Sequence, residues 1–182
     1  MRSLGFYWGV AGVIAFLLTA ILRLSPRIGE LTDYSLSALQ WVVLVGFTLW
    51  MAWAEGYKGF HRAFSPRVVA RARYLKTVSG KPLLLLLAPA FCMGYFHATR
   101  KRMIVSWVLT TTIVMLVLLL RITPQPWRGI IDTGVVTGLG LGILSLVFFW
   151  LQDLTGKWNH AIPLDLPESE TVEPVVSQAK QP

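Results

Sequence analysis

The chain has 182 residues, 54% of them hydrophobic and only 14% charged, with a net charge of +8. A soluble domain carries about 25% charged residues, so this composition excludes an ordinary soluble globule. It also excludes a disordered chain, which requires low hydrophobicity. What remains is an all-α integral membrane protein, since a helix of about 20 apolar residues satisfies its own backbone while crossing a bilayer.

Four spans are expected, at about 4–22, 36–54, 103–120 and 134–151. The first, Leu4 to Leu22, is flanked by Arg2 and Arg23. It is long for a secretory signal and no small-residue cleavage site follows, so it reads as an uncleaved helix. Gly5 and Gly9 stand four residues apart, which permits close approach of another helix. The second span carries Trp41 near one end and Trp50 and Trp53 near the other, the pattern of indoles placed at the two interfaces.

The stretch from Glu55 to Pro82 holds seven cations against one acid. Ser65-Pro66 is a helix start, with Ser as N-cap and Pro at the first helical position, and Ser79-Gly80 is a stop. A short basic helix over about 66–79 is expected, lying on the membrane surface with its cations reaching headgroup phosphates; the alternative is a loop helix packed on the spans.

The apolar segment at about 83–99 is interrupted by Pro89 and Gly94 and ends before Arg100-Lys101-Arg102. If it crosses, there are five spans and Lys/Arg divide 10 to 7 between the two sides; if it enters and returns, there are four spans and the division is 13 to 4. The positive-inside rule favours the re-entrant arrangement with both termini cytoplasmic. The last span carries Gly134, Gly138 and Gly142 on one face, a packing stripe for a partner helix. Residues 1–151 thus form the membrane domain, and 152–182 form a polar, acidic, Pro-rich tail expected to be disordered.

Motifs for chemistry are sparse. His61, His97 and His160 lack metal-ligand spacing, and Cys92 reads as a small buried hydrophobe, so neither a metal nor a cofactor is expected. There is no G-x-S-x-G, and the span glycines lack a phosphate-loop lysine. Glu55, His61, His97 and Asp132 are the candidate polar site, since ionisable groups near a bilayer are costly. Local helical ion pairs, Glu55 with Lys58 and Asp132 with Arg128, are the simpler expectation.

The function expected from these features is that of a non-enzymatic accessory, assembly or scaffold subunit. Its basic cytoplasmic face, formed by Lys58, Arg62, Arg67, Arg71, Arg73, Lys76, Arg100, Lys101 and Arg102, would bind anionic membrane lipids. Other transmembrane helices are the expected protein partners, as a homo-oligomer or within a larger complex. Nucleic acid is not expected, because no reading module accompanies the charge. Two alternatives stand beside this: an oligomeric transporter or channel using the segment around Pro89, and a lipid-modifying enzyme using the polar site. With no organellar leader or retention signal apparent, a bacterial inner membrane is the expected location.

Overall fold

The computed structural model describes residues 2–77, 82–157, 162 and 164–166, and these form helices joined by short connections. Helix α1 is Arg2–Gly29, followed by a 3-10 turn at Glu30–Asp33. Helix α2 runs without interruption over Ala38–Thr77. Two short helices follow, α3 (Pro82–Leu86) and α4 (Ala88–Met93), and then two long ones, α5 (Arg100–Leu120) and α6 (Trp127–Leu154). Four helices, α1, α2, α5 and α6, are long and apolar enough to cross a membrane.

The antiparallel hairpin of α1 and α2 is set by the turn between them. The Ser37 hydroxyl accepts from the Gln40 backbone N–H, and the Gln40 side chain accepts from the Ser37 N–H. This reciprocal pair satisfies donors that the first helical turn would leave open. Helix α6 lies antiparallel to α1, with Gly129 beside Leu31 at one end and Trp150 against Tyr7 at the other. It therefore runs parallel to α2.

The second span does not stop at residue 54. Ala52–Phe64 continues it as a π-helix, and Ser65–Thr77 resumes α-helical geometry. The expected separate helix starting at Ser65-Pro66 is thus the last third of α2. Ser65 does not act as a cap: its hydroxyl is buried and has no hydrogen-bond partner among the described residues. Pro66 is tolerated because it falls where the ladder changes from i→i+5 back to i→i+4, so its missing N–H breaks an already shifting pattern. Nor does this part lie on a surface, for Val68, Val69, Ala72 and Leu75 are fully or almost fully buried. The expected stop at Ser79-Gly80 lies outside the described residues.

The π geometry explains how α2 meets α6. Widened turns bring residues four to five apart onto one face, so Met51, Glu55, Gly56 and Phe60 all face α6. Their counterparts there are Gly134, against Phe47 and Met51; Gly138, against Glu55; Leu141, against Gly56; and Gly142, against Phe60. On α1, Gly5 faces Leu85 and Leu75, and Gly9 faces Cys92 and Ala88.

The core gathers Phe6, Val10 and Val13 of α1, Val68 and Ala72 of α2, Ala88, Phe91 and Cys92 of α4, and Leu146 and Phe149 of α6. α3 and α4 are five and six residues long and break at Leu87, so neither can cross a bilayer on its own. α4 ends at Gly94, whose φ of +82° lets its N–H turn back to the Ala90 and Phe91 carbonyls. α5 stands apart, touching the rest chiefly through Arg102, Ser106 and Thr110 in its first half.

Two glycines on α6 separate packing from composition. A methyl at Gly142 would lie 2.7 Å from the Phe60 ring, whereas one at Gly140 would meet nothing within 4 Å. Gly142→Val is therefore expected to lower stability by about 1–3 kcal/mol through overpacking, and Gly140→Val to leave it unchanged. Thermal unfolding in detergent compares the two; equal melting temperatures would contradict this packing.

Candidate functional site

The ends of the helices place the charges. The start of α1, the end of α2, the turn after α4, the start of α5 and the end of α6 meet at one end of the bundle. Nearly all the cations singled out above lie there, but the structure divides them into three groups.

Arg71 is the first. It is only 2% exposed, so it does not face headgroups as expected. Its Nε donates to the Phe91 carbonyl (2.8 Å), and one terminal nitrogen donates to the Leu164 carbonyl (2.7 Å). The other donates to His97 (3.1 Å) and Phe96 (3.3 Å). The guanidinium also lies 4.2 Å from the centre of the Phe91 ring. A planar group with five donors in a fixed fork can reach carbonyls on several sides at once, whereas a lysine offers three donors from a single point. The carbonyl of Phe91 belongs to the last turn of α4, where a cation also meets the negative end of the helix. Arg71 therefore clamps the turn after α4 against α2.

It clamps part of the tail as well. Leu164 supplies a carbonyl to Arg71, Asp165 accepts from the Thr99 N–H at 2.8 Å, and Leu166 packs on the core. These three residues of the 152–182 tail are thus in contact with the bundle. The greater part of that tail, His160 included, lies outside the described residues.

The second group is paired. Asp153, at the end of α6, is bound by Arg73 at 3.1 Å and by Lys76 at 2.8 Å. Lys76 also sits 3.7 Å from the Phe6 ring centre. These two cations tie α2 to α6 and α1. The third group comprises Lys58, Arg62, Arg67, Arg100, Lys101 and Arg102, for which no ion pair occurs among the described residues. Lys58 does not reach Glu55; it lies 3.7 Å over the Trp53 ring, five residues back, which a π turn makes its neighbour.

The polar candidates are not brought together. Glu55 packs against Gly138. His61 shares a hydrogen bond with Ser145 (3.0 Å) and stacks on Tyr57, at the floor of an open apolar groove walled by Leu141, Leu144 and Phe148. His97 lies in the turn after α4 with a φ of +53°. Asp132 is buried near the opposite end of the bundle, with Arg128 Nε at 3.8 Å, a helical i,i+4 pair without hydrogen-bond geometry. Among the described residues, no group of three His, Cys, Asp or Glu is placed to hold a metal ion. Comparison of the chain with protein-family models, curated proteins and solved structures finds no match.

Sequence reasoning missed the clamp, the Asp153 bridge and the docked residues 164–166. For Asp153 there was a usable signal: Arg73 and Lys76 stand three apart, so one carboxylate can reach both.

The clamp predicts a specific failure. Arg71→Gln leaves several buried carbonyls without a donor, at about 1–3 kcal/mol for each group left unsatisfied. Cys92, next to Phe91 and 1% exposed, should be unreactive toward maleimide in the folded wild type and should label in this variant below its melting temperature. Unchanged protection of Cys92 together with an unchanged melting temperature would show that the clamp holds nothing.

Proposed function

We propose that this chain is a non-enzymatic membrane scaffold or accessory subunit whose cationic end binds anionic lipid headgroups. The observation that carries this reading is the third group of cations. Arg67, Arg100, Lys101 and Arg102 lie toward one end, Lys58 and Arg62 stand on the turns of α2 that lead to it, and no carboxylate among the described residues forms an ion pair with any of the six. Cations near an anionic surface contribute about 1 kcal/mol each. At the other end Arg27 is bound to Glu30 at 3.0 Å and Arg128 faces Asp132.

On this reading the cationic end is cytoplasmic, the membrane is a bacterial inner membrane, and both termini share the cytoplasmic side. Residues 83–99 enter from that side and return to it. Packing supports this: Pro89 lies against Gly12 of α1, while Arg71 of α2 binds the carbonyls of both Phe91 and His97. The exposed face of α5, from Ile104 to Leu119, is the surface left for lipid or for a partner helix. A transport path around Pro89 has less support, because Ala88, Phe91 and Cys92 fill the space beside it. A lipid-modifying enzyme has less support still, with Glu55, His61 and His97 held in separate surroundings.

Two experiments test the reading. Protein reconstituted with equal phosphatidylglycerol and phosphatidylcholine should retain the anionic lipid on gentle extraction. The triple variant Arg62→Gln, Arg100→Gln, Lys101→Gln should retain less, each change weakening retention about fivefold; equal retention would refute headgroup binding. Native mass spectrometry from the source membrane should show a second polypeptide or a second copy at fixed ratio. A bare monomer would refute the scaffold role.

A further inference from the structure

A groove runs between the π stretch of α2 and the second half of α6. Its volume is about 440 Å³, within the roughly 300–1,000 Å³ of small-molecule sites. Gly56 forms its back, where the missing side chain lets Leu141 sit against the α2 backbone. Tyr57 and His61 of α2 and Leu144, Ser145 and Phe148 of α6 complete the lining. Leu144, Phe148 and Tyr57 are exposed, so the groove is open along its outer side. Its α6 residues all belong to the apolar run 134–151, and Ser145 stands about 9 Å short of the end of that run. With α6 crossing the membrane, the mouth of the groove faces hydrocarbon below the headgroups. Its occupant must therefore be soluble in the bilayer.

The floor of the groove is polar at one point. Ser145 is buried, and its hydroxyl lies 3.0 Å from His61 Nδ1, with no other acceptor among the described residues. The hydroxyl proton therefore goes to Nδ1, which places the imidazole proton on Nε2. That N–H has no partner among the described residues, and a donor at this depth is costly to leave open. It calls for an acceptor from outside the chain. Aromatic rings stand around it: Tyr57 stacks on His61 with the planes 16° apart and the centres 5.8 Å apart, and the Phe148 ring centre lies 5.9 Å from that of the imidazole. Among the described residues, no lysine or arginine lines the groove; Arg62, 6.0 Å from the centre of the Tyr57 ring, stands outside it. An anionic head would bring a charge to bilayer depth with no cation in the walls to meet it.

We propose that this groove binds one membrane quinone. A ring carbonyl accepts from His61 Nε2, the ring packs against Tyr57 and Phe148, and the isoprenoid chain runs out past Leu144 into the bilayer. The donor and the rings together select this class over other neutral lipids. A carbonyl answers the open N–H, and a planar ring extends the stack that Tyr57 and His61 begin, with aromatic pairs contributing beyond the area they bury. An ester carbonyl would meet the donor but offer the rings no plane to stack on. A saturated chain would fill the apolar walls and leave the N–H open. The inference goes beyond headgroup binding, since it uses none of the cations on which that reading stands.

The test is native mass spectrometry of the full chain in detergent, titrated separately with a short-chain ubiquinone, palmitate and phosphatidylcholine. One quinone should bind, more tightly than either of the others. His61→Phe keeps a ring in place but removes the donor, and should weaken quinone binding about tenfold, the worth of one hydrogen bond. His61→Gln restores an N–H donor and should recover most of the affinity, which separates loss of the donor from loss of the fold. Leu144→Trp, at an exposed position, should obstruct the groove and weaken binding by a similar factor with His61 intact. Quinone binding that neither His61→Phe nor Leu144→Trp weakens would overturn the site. Palmitate or phosphatidylcholine bound as tightly as the quinone would also overturn it, making the groove a general seat for lipid chains. A second copy of the chain bound in place of the quinone would overturn it as well, making the groove a helix interface.

Discussion

A guanidinium removed from water must find donors' partners on every side, and Arg71 finds them in four backbone carbonyls. That requirement organises the cationic end of the molecule. The carbonyls come from the last turn of α4, from the turn that follows it, and from the segment after α6. None of these could lie where it does if α2 ended at residue 54. The continuity of α2 places Arg71 over α4, and the break between α3 and α4 brings the carbonyls back toward it. Fold and charge are therefore one arrangement at this end.

The π stretch of α2 is the second constraint. It carries Glu55, Lys58, His61 and Arg62, which a bilayer core would resist, yet Met51 and Phe60 on the same stretch must meet the glycines of α6. An ordinary α-helix spaces its packed residues at three and four. The wider turn spaces them at four and five, which turns Met51, Glu55, Gly56 and Phe60 toward α6 and leaves Lys58 and Arg62 exposed. Short glycines on α6 complete the fit by letting the Phe60 ring approach the backbone.

The four long helices were legible because apolar runs near 20 residues have a single physical explanation in a chain of this composition. The interrupted segment around Pro89 was legible too, since proline and glycine remove specific hydrogen bonds. Residues 55–64 were not: their charges read as a loop, and a spacing of four to five matches neither the helical nor the strand period. The burial of Arg71 could not be read at all. Its partners are carbonyls, which every residue carries, so nothing about Phe91, Phe96, His97 or Leu164 marks them in sequence. Arg73 and Lys76 looked identical to Arg62 and Arg67 because pairing is a matter of position, and their partner Asp153 stood in what read as a free tail.

The order in which the chain is synthesised gives the clamp a further meaning. Arg71 emerges before any of its four acceptors. The carbonyls of Phe91, Phe96 and His97 follow about twenty residues later, but Leu164 comes only after both remaining long helices have been made. Until then the arginine's full set of acceptors does not exist, and a guanidinium short of partners is costly away from water. The clamp is therefore an interaction that only the nearly finished chain can complete.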